Sequence, residues 1–151
     1  MRTQVGIVGA GPAGLLLAHL LSRRGIDSVV VENRSREYCE ARIRAGVLEA
    51  GAVDLLVRSG VGDRLQREGL EHHGIHLQWP GERHHLDFTA LCGRSVWVYG
   101  QTEVVKDLIR ARLEHGGPLY FDVSDTCLHD VESQRPTMRC VEADGRAAGV
   151  E

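Results

Sequence analysis

Three glycines constrain this chain more than any other feature. Gly9, Gly11 and Gly14 form a G-x-G-x-x-G run between the apolar segment Val5-Gly6-Ile7-Val8 and the leucine-rich segment Leu15 to Leu21. The first segment reads as a strand and the second as a helix, running from Pro12 to just before Gly25. Pro12 suits a first helical turn, and Arg23 and Arg24 suit the negative end of the helix dipole. Ser28-Val29-Val30-Val31 then reads as a second strand with Glu32 at its end. In such a unit the first glycine makes a tight turn and the second lets backbone approach a pyrophosphate. The third lets helix pack on strand, while free N–H groups at the helix start attract phosphate. Glu32 is placed to accept hydrogen bonds from a ribose hydroxyl, and its charge opposes a 2′-phosphate. The residues therefore predict a site for FAD or NAD rather than NADP.

The remaining properties narrow the class. A chain of 151 residues can bury one real core but is short for a flavin or nicotinamide enzyme with two substrates. A net charge of −3 without a basic block gives no reason to expect nucleic acid or a membrane surface. Val5 to Leu21 is nearly uncharged, but its glycines, Pro12 and His19 favour a buried strand and helix over a targeting segment or span. Cys39, Cys92, Cys127 and Cys140 are scattered without a C-x-x-C pair, which predicts reduced thiols and a cytoplasmic location.

Arg34, Arg36, Arg42 and Arg44 follow Glu32 closely and so fall on the rim of the proposed site, where guanidinium forks suit phosphate. Helical spacing of Leu48, Ala52, Leu55 and Leu56 predicts a helix over Val47 to Val57, and a shorter one covers Asp63 to Glu68. Alternation at Ile75, Leu77 and Trp79, the Pro80-Gly81 turn and the return from His84 to Phe88 predict a β-hairpin. Five histidines lie in this region: His72, His73, His76, His84 and His85. They sit on strand-like sequence without an H-E-x-x-H frame, so no metal site is expected. Ser95 to Tyr99 reads as a strand and Gly100-Gln101-Thr102-Glu103 as a helix start. The helix's apolar stripe is Val104, Val105, Leu108, Ile109 and Leu113, and Gly116-Gly117-Pro118 ends it. Leu119-Tyr120-Phe121 is a short strand, and Thr126 to Val131 with Thr137 to Val141 form an antiparallel pair. Asp144-Gly145 reads as a turn whose outgoing strand is missing.

The sequence resembles the N-terminal part of the 4-hydroxybenzoate 3-monooxygenase family, single-component flavoprotein aromatic hydroxylases. The matching stretches are Gly9-Ala10-Gly11-Pro12-Ala13-Gly14, Glu32, Arg42-Ile43-Arg44-Ala45-Gly46-Val47-Leu48-Glu49, Val53-Asp54-Leu55-Leu56 and Val98-Tyr99-Gly100-Gln101-Thr102-Glu103-Val104. The R-I-R-A-G-V-L-E run is far more specific than the glycine motif. The resemblance implies an α/β fold: a Rossmann-like, glutathione-reductase-like FAD-binding domain with a β-hairpin excursion. It implies one partial domain over 1–151, incomplete at the C-terminus, with the substrate domain and later flavin motifs absent.

By that resemblance the cofactor is FAD, with NADPH or NADH as co-substrate. Gly9, Gly11, Pro12, Ala13 and Gly14 would hold the pyrophosphate and Glu32 the adenosine ribose. Arg44 would contact the flavin's phosphates, Ala45, Gly46 and Val47 would line the isoalloxazine ring, and Gln101 would bind the ribityl side. Arg42, with the segment from Asn33 through Arg34 to Tyr38, would dock the nicotinamide cofactor. His72 would be the catalytic histidine that relays a proton from substrate phenol to solvent, a role suited to imidazole. Asn33 replaces a frequent family arginine, Ala13 a frequent serine, and one residue fewer precedes Gln101. The implied reaction is hydroxylation of 4-hydroxybenzoate to 3,4-dihydroxybenzoate, the reduced nicotinamide giving a hydride to FAD and O2 supplying the oxygen. The partner is a small aromatic acid and the parent enzyme a homodimer, while the 151 residues alone are expected to be inactive. Two alternatives are a non-catalytic dinucleotide-binding fragment and an NAD-dependent dehydrogenase domain.

Overall fold

A computed structural model describes residues 1–142, 145 and 147–150. The chain opens with β1 (Val5–Val8), α1 (Pro12–Ser22), β2 (Ser28–Val31), α2 (Arg36–Ala41), β3 (Val47–Glu49), α3 (Ala50–Arg58) and α4 (Asp63–Glu68). Next come β4 (Leu70–His72), β5 (Gly74–Trp79), β6 (Glu82–Asp87), α5 (Phe88–Cys92), β7 (Val96–Val98) and α6 (Gln101–Glu114). It ends in β8 (Leu119–Tyr120), β9 (Ser124–His129), β10 (Thr137–Val141) and β11 (Ala147–Val150). Backbone contacts gather these into two compact units, Met1–Arg42 with Val105–Glu151, and Ile43–Val104.

The first unit is built on a parallel sheet of order β1-β2-β8. All four residues of β2 are buried, as expected of a parallel strand covered on both faces. Register pairs Gly6 with Val29 and Ile7 with Val30, so the two pairs face opposite sides. On one side Ile7 lies under α1, against Gly14. On the other, Val29 and Val31 join Val123, Met138, Cys140 and Val150 in a core shared with the antiparallel sheet β11-β10-β9. Each fully buried valine contributes about 1.5–3 kcal/mol, so this core secures the strand that carries Glu32. Arg112, buried on α6, donates from Nη2 to the carbonyls of Ser28 and Pro118 and so ties the starts of β2 and β8 together.

The second unit has an antiparallel sheet of order β3-β7-β4 and the two-stranded hairpin β5-β6. Gly81 closes the hairpin at φ +87°, a left-handed conformation suited to glycine. Val53 and Leu56 of α3, Leu65 of α4 and Val104 of α6 are buried aliphatics of this unit.

Several expectations are met at element scale: α1, α4, the hairpin, β7 and the antiparallel β9-β10 pair. Others are corrected. Val47 and Leu48 lie in strand β3, paired to Val98 and Trp97, and the helix begins only at Ala50. Three residues fit either period, and pairing to β7 decides the outcome. Leu113 is 43% exposed, while Arg112 is buried in its place because its guanidinium finds carbonyl partners. The first strand of the late pair runs Ser124–His129 and stops at Asp130, whose φ is +54°. The outgoing strand expected to be missing is present: β11 pairs with β10, Met138 opposite Val150. Its sequence, Ala-Ala-Gly-Val, has little strand propensity, and pairing plus burial of Val150 hold it. Asp144 of the expected turn lies outside the described residues. Among the described residues no helix is long and apolar enough to cross a membrane.

Candidate functional site

In the first unit β1 runs into a turn held by Gly9, whose φ is +110° and whose N–H donates to the Val31 carbonyl at 2.8 Å. Gly11 is the N-cap of α1 and Pro12 its first residue. No side chain caps this helix and its first turn carries no acid, so its first N–H groups and the positive end of its dipole are left for an anion. A Cβ on Gly11 would meet nothing within 4 Å, whereas one on Gly14 would strike the Gly9 carbonyl and lie 3.2 Å from Ile7 Cγ2. Gly11 therefore opens space for a ligand, and Gly14 lets helix meet strand. The cradle fits a pyrophosphate.

Glu32 sits beside it. Its Oε2 accepts from the Ala10 N–H at 2.8 Å and its Oε1 from the Arg34 N–H at 3.0 Å, which fixes the carboxylate next to the glycine turn. A cleft of about 640 Å³ adjoins it, lined by Val8, Gly9, Glu32, Asn33, Val123 and Ser124 among others. The far wall is held by the Asp122 N–H on the Arg34 carbonyl and the Val123 N–H on the Glu32 carbonyl, at 3.1 and 2.9 Å. Sequence reasoning missed this wall, since Asp122 to Thr126 carries no motif. Asp122 and Asp125, at φ +56° and +50°, give only a turn signal. Burial, reinforced by the Glu32 charge, pushes the Cys39 thiol up to about 11.

After Glu32 the chain forms α2, capped by the Ser35 hydroxyl, which accepts from the Tyr38 N–H at 3.2 Å. Arg34 and Arg42 both lie over the Tyr38 ring, at 5.3 and 5.5 Å from its centroid. The three side chains form an exposed cluster of two cations about one aromatic ring, with Asn33 also exposed. Arg36 turns instead to Glu40, at 2.7 Å.

In the second unit the segment before β3 is held to the start of α6. The Tyr99 N–H donates to the Gly46 carbonyl at 2.8 Å and the Gln101 N–H to the Ala45 carbonyl at 3.0 Å. This brings Ala45, Gly46, Val47 and Gln101 together, with Arg44 exposed beside them. His72 ends β4, opposite Val96 on β7, and is exposed. The hairpin histidines pair elsewhere: His76 with His85 at 4.6 Å and His84 stacked on Trp79 at 4.8 Å. No group of three or more metal-ligating side chains occurs among the described residues.

Comparison with known proteins agrees with this geometry. The family model described as FAD binding domain matches residues 2–150. The chain is 48% identical over 131 residues to p-hydroxybenzoate hydroxylase of Acinetobacter baylyi, covering 86% of this chain and 32% of that one. It is 32% identical over 153 residues to 6-methylpretetramide 4-monooxygenase of Streptomyces rimosus, covering 99% of this chain and 36% of that one. The chain thus spans about a third of the length of these relatives. Among solved structures, p-nitrophenol 4-monooxygenase of Pseudomonas putida superposes with a TM-score of 0.84 at 20% identity, over 99% of this chain and 39% of that one, a likeness of fold. Anhydrotetracycline hydroxylase of Streptomyces rimosus gives 0.81 at 28% identity, over 100% and 30%.

Proposed function

Because the chain belongs to the FAD binding domain family, we propose that it is the cofactor-holding N-terminal part of a flavoprotein monooxygenase that hydroxylates 4-hydroxybenzoate to 3,4-dihydroxybenzoate. The observation that carries this reading is the 48% identity to p-hydroxybenzoate hydroxylase across 86% of the chain. When bound, FAD supplies hydride acceptance from NADPH or NADH and the activation of O2. The chain's residues hold and orient it, and both units serve one domain over 1–151.

Gly9, Gly11, Pro12, Ala13 and Gly14 hold the pyrophosphate on the uncapped start of α1, and Glu32 orients the adenosine ribose. Arg44 meets the phosphates, Ala45 to Val47 line the flavin ring, and Gln101 meets the ribityl chain. What supports this is the backbone pairing of Ala45 and Gly46 with Gln101 and Tyr99. Arg34, Tyr38 and Arg42, with Asn33, dock the nicotinamide cofactor, because guanidinium groups clustered about an aromatic ring suit both a pyrophosphate and an adenine face. His72 moves the phenolic proton to solvent, a reading its exposure supports. Four free thiols and the use of a nicotinamide cofactor support a cytoplasmic location, and by family resemblance the complete enzyme is a homodimer.

The test fuses this chain to the C-terminal two thirds of the Acinetobacter relative and follows NADPH oxidation with 4-hydroxybenzoate. The fusion is expected to form 3,4-dihydroxybenzoate, and the 151 residues alone none. A fusion that holds FAD yet makes no dihydroxybenzoate contradicts the assigned substrate.

A further inference from the structure

One guanidinium in the second unit does more than a surface charge would. Arg64 on α4 pairs with Glu68 at 2.9 Å, an i,i+4 contact that alone would be worth little. It also pairs with Glu103 in the first turn of α6 and lies 5.6 Å from the centroid of the Tyr99 ring. Tyr99 is buried, and the Arg64 side chain is only 19% exposed. These contacts converge on the corner where β7 turns into α6. That same corner holds the Ala45–Val47 segment, through the Tyr99 N–H on Gly46, the Gln101 N–H on Ala45 and the pairing of Val47 with Val98.

We infer that Arg64 is a positioning residue for FAD, fixing the Tyr99–Glu103 corner and through it the Ala45–Val47 segment. The inference rests on the assignment of Ala45–Val47 and Gln101 to the flavin. Two physical effects combine. Contact with the Tyr99 ring and the Nη2 pairing to Glu103, with Nε held by Glu68, restrain the corner in position, as a planar guanidinium does better than an ammonium. Pairing also offsets the Glu103 charge, which would otherwise stand in the helix turn adjoining Gln101 and oppose an anionic cofactor.

The experiment uses the 151-residue chain and compares wild type, Arg64→Ala, Arg64→Lys and Glu103→Gln. Amide hydrogen exchange is read without cofactor, and FAD affinity and the visible circular dichroism of bound FAD are read with it. Arg64→Ala is expected to speed exchange at the Tyr99 and Gln101 amides about tenfold while leaving Leu15 and Ala18 of α1 unchanged. It is also expected to weaken FAD about tenfold and alter the flavin's dichroism. Arg64→Lys keeps the charge and should recover part of the affinity but not the exchange protection, since it loses the guanidinium contact with the Tyr99 ring. If Arg64→Ala does not fold, Glu103→Gln, which removes one anchor, is expected to show the same exchange pattern more weakly. Unchanged exchange at Tyr99 and Gln101 in the variants overturns the inference. A folded wild type that ignores FAD overturns instead the flavin assignment, and the exchange result still judges Arg64.

Discussion

At the scale of single residues, the proposed site predicts that Gly11 and Gly14 separate binding from folding. Gly11 has φ −77° and open space around its Cβ position, so Gly11→Ala should leave stability within about 0.5 kcal/mol while weakening FAD about tenfold or more. Gly14→Ala forces a methyl onto the Gly9 carbonyl and should cost about 1–3 kcal/mol in a denaturant melt. Equal loss of stability in both would contradict the division of roles. Cys39 gives a pH signature. Its thiol is raised from 9.0 to about 11, so above pH 9 the unfolded chain releases a proton that the folded chain keeps. The unfolded state then binds fewer protons, and stability should fall from about pH 9 to pH 11, a fall that Cys39→Ser removes. Alkylation at pH 8, read by mass spectrometry, should mark exposed Cys92 and Cys127 before Cys39 and buried Cys140.

At the scale of elements, α2 and the residues before it carry the Arg34–Tyr38–Arg42 cluster that we propose docks the nicotinamide cofactor. Tyr38 is 42% exposed, so Tyr38→Ala should spare the fold and weaken NADPH about three- to tenfold by ligand-observed NMR, the worth of the lost cation–π contacts. Unchanged NADPH binding would show that the cluster serves only α2. The elements also show what the sequence could and could not reveal. β1, α1 and β2 were legible because glycine, proline and a valine run state turn, helix start and buried strand locally. The hairpin was legible for the same reason, through alternation about Pro80-Gly81. β3, β4 and β11 were not, because each is short and exists through a distant partner: Val98 for Val47 and Leu70, Met138 for Val150. The burial of Arg112 was hidden likewise, since its carbonyl acceptors are Ser28 and Pro118. In the site, the glycine turn and Glu32 carry local signals, whereas the roles of Arg44 to Val47 and Gln101 came from family resemblance. Arg64 carried no signal at all.

At the scale of the whole molecule, the FAD binding domain family model matches residues 2–150, and the chain spans about a third of the length of its relatives. The property to test first is therefore FAD binding by this chain, apart from hydroxylation. The most direct measurement is the visible absorption spectrum of the purified chain titrated with FAD, beside Glu32→Ala. A saturable, one-to-one change in the flavin bands is expected. That change should be lost in Glu32→Ala, because the carboxylate that orders Ala10 and Arg34 beside the glycine turn is gone. A folded chain that leaves the flavin spectrum unchanged, or a Glu32→Ala variant that binds as wild type does, would contradict this expectation.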